Sequence, residues 1–436
     1  MKHLKSVVKI FVVLLVCVGM PLGAEGKQEA TPQKKVTLRL AWWGNPTRDE
    51  RTLKVVEMYM AQNPHVVIQT ETTGWAGYWD KLASQAAAND LPDIIQMDYA
   101  YITQYAQKNL LADLTPAVNA GLINLKGVDD NFIVGGKVQG KIYGISLGTN
   151  AWCILYDPAI LKKAGIDTIK PTWTLEDYEK IANQVYKATG VKTPPFSTTD
   201  PKQAFDNMLR QTGDSFFDRA TGASLGFTKP DLLIQFYEIQ LRLLKSGALV
   251  SPDEAFITVT PQESGFAKGT QWFVDLWSNQ VIATASAANR PVEIALAPRI
   301  ANSKRPGTYF KPSMFFSVSN NSKNKEEAAK FINFFVTNIE ANKVLLAERG
   351  IPIIPAVREE LKKVVDPLNK QVFEYIELVG KGNNSPLDPA DPPGAGEVLK
   401  IFRSVDQEVL YGILDPKAGA EKFMKQANEI LAKNKK

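Results

Sequence analysis

Between Val36 and Tyr99 one pattern occurs three times: a short apolar stretch, a loop rich in turn formers, then a longer amphipathic stretch. Val36-Thr37-Leu38-Arg39-Leu40 alternates as a strand does and runs into Ala41-Trp42-Trp43-Gly44-Asn45-Pro46, where Gly, Asn and Pro call for a loop. A helix is expected from Asp49 to Asn63, then a strand from Val66 to Thr70 that ends in the loop Thr73-Gly74-Trp75. Trp79 to Ala88 reads as helix, Asp90-Leu91-Pro92 breaks it, and Asp93 to Met97 is a short strand leading to Asp98 and Tyr99. Strands alternating with helices in series imply a parallel sheet with right-handed crossovers. Ligands of such sheets sit beyond the carboxyl ends of the strands. Here those ends are the loops at residues 42–48, 73–78 and 96–101.

A chain of 436 residues exceeds one ordinary core, so a second domain is expected. After Tyr143-Gly144 the chain passes through Ser146, Gly148, Thr149 and Asn150 into an apolar strand, Ala151 to Tyr156. Glycine beside small polar residues suits a hinge or crossing segment. Beyond it the pattern is mainly helical: 175–188, 201–211, 230–245, 325–337, 339–349, 359–380, 396–411 and 416–433, with strands at 293–297 and 314–319. Ser385 to Gly394 holds four prolines in ten residues and reads as a rigid loop.

The N-terminus points outward from the cytoplasm. Lys2, Lys5 and Lys9 precede an apolar run from Ile10 to Met20, and Gly23 and Ala24 follow, which is the order of a secretory signal. The run is too short to span a bilayer. Residues 1–24 are therefore expected to be a signal peptide and 25–35 a flexible lead. Cys17 stands between Val16 and Val18, which argues against lipid attachment, and with the signal removed only Cys153 is left, so no internal disulfide can form.

Several classes of chemistry lack their residues. The only histidines are His3 and His65, so histidine triads and zinc motifs needing two histidines are excluded from the mature chain. No phosphate-binding glycine-lysine run or complete dinucleotide fingerprint occurs, and no cofactor or metal is expected. The net charge of +5 includes lysines of the signal and of the tail, so no nucleic-acid surface is indicated.

Aromatic residues stand where loops are expected: Trp42, Trp43, Trp75, Tyr78, Tyr99, Tyr101, Trp152, Trp272 and Trp277. The C–H face of a sugar stacks on such rings, while its hydroxyls need polar partners such as Asn45, Asp98 and Asn150. Loop aromatics beside short polar side chains are what a carbohydrate cleft requires.

The order of several short motifs resembles that of the extracellular sugar-binding proteins of ABC importers, the group containing maltose-binding protein. They are Trp42-Trp43-Gly44, Leu91-Pro92-Asp93-Ile94-Ile95, Gly140 to Ile145, Leu155-Tyr156-Asp157-Pro158, Phe266-Ala267-Lys268-Gly269, Trp277-Ser278-Asn279, Ser317-Val318-Ser319 with Glu326 to Ala329, and Arg349-Gly350-Ile351-Pro352. The resemblance implies a two-lobed periplasmic-binding-protein fold, each lobe a mostly parallel sheet flanked by helices, joined by crossing hinge segments. Lobe one is expected over 36–148 and 289–336, and lobe two over 149–288 and 337–436. It further implies a monomeric, non-enzymatic protein outside the cytoplasmic membrane that carries an oligosaccharide to a membrane permease. Where that family often has glycine and proline, Val274-Asp275-Leu276 stands before Trp277, and Asp275 joins the expected wall. Trp42-Trp43-Gly44 with Arg48, Thr73-Gly74-Trp75, and Lys311-Pro312-Ser313-Met314 are similar to the subgroup that binds pectin-derived oligogalacturonides. Arg48 and Lys311 would pair with the carboxylates of such a ligand. The expected ligand wall is thus Trp43, Asn45, Arg48, Trp75, Tyr78, Asp98, Tyr99, Asn150, Trp152, Asp275, Trp277 and Lys311. Two rivals stay open: a secreted polysaccharide-degrading enzyme, and a binding protein for a non-sugar solute.

Overall fold

The computed structural model describes residues 35–196, 201–257 and 261–433; the expected signal and all but the last residue of the lead lie outside them. In chain order the elements that position the site begin with β1 (Val36–Trp43), α1 (Pro46–Gln62), β2 (Val66–Thr73), α2 (Trp75–Ala87), β3 (Ile94–Met97) and α3 (Tyr99–Gln107). The remaining strands are β4 (Lys137–Val138), β5 (Lys141–Ile142), β6 (Ile145–Ser146), β7 (Thr149–Tyr156), β8 (Phe273–Trp277), β9 (Glu293–Ala295), β10 (Phe310–Pro312) and β11 (Phe315–Val318).

The first sheet runs β2-β1-β3-β11-β6, with β1 parallel to both β2 and β3 and with β11 antiparallel to its neighbours. Covered on both faces, β1 is apolar almost throughout, as a central parallel strand must be. It is longer than its alternation suggested. Trp42 and Trp43 pair with Thr72 and Thr73 of β2, so both are strand residues rather than loop residues. Trp42 is wholly buried, and its indole N–H donates to Asp49 Oδ1 at 2.7 Å, which removes the cost of an unpaired buried donor. α1 starts three residues before expectation because Asn45 caps it, accepting from the Arg48 amide, with Pro46 in the first turn. α2 starts four residues early, at Trp75, which places that ring at a helix N-terminus.

In the second sheet β7 is central, and its pairings with β8, β9 and β10 are all antiparallel. Here, among the described residues, the expected parallel character is confined to single-residue bridges: Thr174 with Arg299, Lys192 with Gln271, Thr193 with Leu249 and Tyr309 with Ser385. Helices cover this sheet, among them Leu175–Thr189, Pro201–Thr212, Asp231–Lys245, Ala395–Leu410 and Pro416–Lys433. Phe205, Phe236, Phe402 and Phe423 form its ring-on-ring core. Burying each such ring contributes roughly 1.5–3 kcal/mol.

The buried apolar residues fall into two clusters, of which the first takes in the first sheet together with Ala151, Cys153, Leu155, Leu276 and Phe310 of the second, so neither follows the expected boundaries. Residues 289–312 were assigned to the first lobe, yet β9 and β10 pair with β7 in the second sheet. Residues 337–436 were assigned as one block to the second, yet Ala341 and Leu345 join the first core and the helix carrying them packs on α1. The helix expected over 359–380 is two helices, Pro355–Leu361 and Pro367–Gly380, because Asp366 caps a new start at Pro367.

Two strands pass between the sheets side by side. β6 pairs with β11, the Leu147 amide donates to Met314 O, the Ser313 amide donates to Gly148 O, and β7 pairs with β10. A third strand adjoins them where Thr149 and Ile351 exchange amide bonds of 2.9 and 3.1 Å. The approach is close enough to need glycine twice. A Cβ on Gly148 would lie 2.5 Å from Arg349 O, and Gly350 has φ of +96° with Thr149 backbone against it.

Candidate functional site

In the first lobe five aromatic rings pack at the carboxyl end of the parallel strands. Trp43 meets Trp75 edge to face at 5.1 Å and Tyr78 at 5.3 Å, while Trp79 stacks on Tyr101 at 3.8 Å. They differ sharply in exposure: Trp75 is 48% exposed, Trp43 7% and Tyr78 2%. The solvent-facing surface of the cluster is therefore Trp75, with Trp43 behind it. Tyr78 was expected on the wall, but its hydroxyl donates to Gln96 O at 2.8 Å and Ala41 O at 3.2 Å, which makes it a core residue tying β1 to β3. Tyr78 shares the face of Trp75 but lies a turn further into α2, where that face is against the sheet, whereas Trp75 stands at the open N-terminus.

Arg48 also departs from expectation. Its Nε donates to both carboxylate oxygens of Glu348, at 2.9 and 3.0 Å, in a pair whose side chains are each 13% exposed. The guanidinium proposed for a ligand carboxylate is occupied by the protein's own. Beside it Arg349 donates to Gln96 Oε1 at 3.1 Å and Thr52 Oγ1 at 2.9 Å. Burial, and then the neighbouring charge of Arg48, push its pKa down to about 9. Asn45 is exposed and spends its side-chain oxygen on capping α1.

Asp98 and Tyr99 open α3 opposite the second lobe. Asp98 caps the helix through the Ala100 amide at 2.9 Å; burial raises its carboxyl, against which that amide and the charge of Lys311 act. Tyr99 donates its hydroxyl to Asp388 O at 2.6 Å, and burial raises its phenol to about 12.

The second lobe supplies a wall from β7, β8 and β10. Trp152 lies directly across from Trp277 in the antiparallel ladder, rings 5.4 Å apart and edge to face. Tyr309 stands 5.7 Å from Trp277, and Lys311 sets its ammonium 4.8 Å over the Trp277 ring. Trp152 and Asp275 are deeply buried and line a narrow pocket with Tyr178 and Asn207. Asn150, opposite Lys311 in the register, lines a separate cavity of about 450 Å³ at the hinge with Ser278, Asn279 and Glu348. The structure therefore groups Trp43 with Trp75, and Trp152 with Trp277, Asp275 and Lys311. Between them Asp98 feels the charge of Lys311 and Tyr99 donates to Asp388 O, while Arg48 and Tyr78 lie in the scaffold.

A family model described as bacterial extracellular solute-binding protein matches residues 54–370, most of the chain. The chain belongs to the bacterial extracellular solute-binding proteins. Among solved structures, an extracellular solute-binding protein family 1 member from Alicyclobacillus acidocaldarius is 29% identical, with a TM-score of 0.84, covering 92% of this chain and all of that one. A periplasmic oligogalacturonide binding protein from Yersinia enterocolitica shares the fold at 22% identity, TM-score 0.75, with 92% and 100% covered. An arabinooligosaccharide-binding protein from Bacillus subtilis is 25% identical over 223 residues, half of each chain. The chain spans about half the length of that curated relative.

In this solute-binding protein the sequence left four residues that touch the expected wall unmarked: Tyr309 beside Trp277, Arg210 on Tyr309, Asp388 at Tyr99 and Glu348 at Arg48. Tyr309 stands two residues before Lys311, on the same side of an extended segment, but no strand was expected there and Lys311 itself was placed only by resemblance. Arg210 and Asp388 meet across 178 residues, and no local pattern signals that pairing.

Proposed function

We propose that the chain is the extracytoplasmic binding component of an ABC importer, exported through residues 1–24, which captures an oligosaccharide between its lobes and hands it to a membrane permease as a monomer. The observation that carries this reading is the pair of aromatic walls, Trp43 with Trp75 and Trp152 with Trp277, set on opposite lobes and joined by a hinge of three adjacent strands. Rings offer flat apolar faces to sugar C–H groups, and Asn45, Asp98 and Asn150 offer partners to hydroxyls. Binding needs no catalytic group, because a ligand that touches both walls favours the closed arrangement by its extra contacts. The lobes in this reading are 36–148 with 313–350, and 149–312 with 351–433.

A uronic-acid ligand is the finer form of the proposal, and it rests on Lys311 rather than on Arg48. Lys311 lies on the Trp277 ring, where a sugar stacked at its edge would bring a carboxylate within reach of the ammonium. Calorimetry with digalacturonate against a neutral disaccharide, after a thermal-shift screen of oligosaccharides, tests both levels. Heat with digalacturonate alone supports the acidic ligand. Binding of neutral sugars with no uronide heat ends that form of the proposal, and a screen in which no oligosaccharide raises the melting temperature ends the sugar reading.

A further inference from the structure

Arg210 anchors the first half of the proline-rich loop Ser385 to Gly394, and Lys202 pairs with Asp391 in the second half. Arg210, 5% exposed on the helix Pro201–Thr212, donates to Pro386 O at 2.6 Å, Ser385 Oγ at 3.2 Å and Asp388 Oδ2 at 2.5 Å. Its Nε is braced by Asp206 at 2.7 Å, and its guanidinium carbon sits over the Tyr309 ring, 3.9 Å from the centroid. Arg219 adds a second donor to Asp388, at 2.5 Å to Oδ1. The prolines restrict the loop, and the planar fork of Arg210 fixes its first half against the wall that carries Trp277. All of these partners belong to the second lobe. What the loop presents outward is the carbonyl of Asp388, and it receives the Tyr99 hydroxyl from the first lobe at 2.6 Å.

We infer that Tyr99 and Asp388 O form a latch between the lobes, and that Arg210 is the positioning residue that holds the carbonyl in place for it. Tyr99 thereby acts on closure as well as on the ligand wall. The hydrogen bond is half-buried and runs between the two proposed lobes, so its loss shifts the balance between open and closed forms without removing a core contact. Asp388 contributes a backbone oxygen, so removing the donor is the clean perturbation. Arg210→Lys keeps the charge but loses the fork, and the loop then wanders relative to Tyr99.

This latch rests on the two-lobed binding reading but not on which ligand is bound. The test therefore begins with ligand-free protein: lobe-to-lobe energy transfer between dyes placed on the two lobes, or the radius of gyration in solution, for wild type, Tyr99→Phe, Arg210→Lys and the double variant. Tyr99→Phe and Arg210→Lys are each expected to lower the closed-to-open ratio about threefold to tenfold, the worth of one hydrogen bond. The double variant should fall no further than the lower single one, because both act through the same carbonyl. A second arm measures digalacturonate release from Arg210→Lys, whose side chain lies outside the ligand wall, and the release is expected to quicken by a similar factor. An unaltered closed fraction in Tyr99→Phe, or additive losses in the double variant, overturns the latch. A shifted closed fraction with no digalacturonate binding at all leaves the latch standing and removes the ligand instead.

Discussion

In the first lobe the aromatic wall is cut from one stretch, Trp43 to Tyr101, whose rings are brought together by consecutive strand and helix steps. In the second lobe Trp152, Trp277, Tyr309 and Lys311 come from three separate segments and meet only through antiparallel pairing with β7. The first wall is built by local sequence, so its rings lean on one another and only Trp75 is exposed. The second is built by long-range pairing, and it keeps a cation lying over an indole. A cleft made in these two ways has a rigid side, set by its own core, and a side whose chemistry depends on contacts made late along the chain.

The largest effect expected from that comparison concerns the scaffold of the first wall. If Arg48 belongs to the protein's own framework, Glu348→Gln leaves two buried guanidiniums with no carboxylate between them. Breaking a buried pair in this manner costs about 3–5 kcal/mol. Urea unfolding should report a loss near that size. A stability equal to wild type would mean Arg48 is free for ligand after all.

The second effect belongs to the long-range wall. Trp277→Ala removes the ring that touches Trp152, Tyr309 and Lys311 at once. Binding of the best oligosaccharide from the screen should weaken by about 30-fold or more, the range of an aromatic anchor at a binding site. Undiminished affinity in calorimetry would take Trp277 out of the cleft.

The same division governs what could be read in the sequence. Strand and helix order in residues 36–107 was legible because apolar period and caps are local, and the helices 325–337 and 416–433 were expected with the bounds they have. Trp42 was misplaced because a loop was expected after Leu40, whereas pairing with β2 carries the strand to Trp43. The sense of the second sheet and the lobe boundaries were illegible for a related reason: β9 and β10 are three residues each, too short for a pattern to reveal their partner. Arg48 read as a cation at a strand end, and only the fold shows Glu348 beside it, 300 residues away.

The core of the second lobe holds a carboxyl that makes its stability depend on pH. There Asp406 is fully buried against Gln240, and burial raises its carboxyl to about 7. Its value in the unfolded chain is about 3.9. Between those values the folded state binds more protons than the unfolded one, so stability falls as pH rises through the window and the loss is complete above pH 7. Unfolding free energy should therefore be higher at pH 5 than at pH 8 by on the order of 1–3 kcal/mol from this group. Asp406→Asn should abolish that component and gain stability at pH 8. A wild-type and variant pair with the same slope would show that Asp406 is solvated.

The smallest stability effect, and the sharpest separation of roles, is expected at Trp75. Its ring is 48% exposed and meets Trp43 and Trp79 by its edges, so Trp75→Ala removes little buried surface. The unfolding free energy should change by about 1 kcal/mol or less. Trp43→Ala, which removes the 7% exposed ring behind it, should cost about 3 kcal/mol or more through the cavity it leaves. If Trp75 is the ligand-facing surface of the first wall, its removal weakens oligosaccharide binding while the melting temperature of the ligand-free protein barely moves. Equal losses of stability in the two variants would mean that the first wall is a closed core cluster, and the binding surface would then have to come from the second lobe alone.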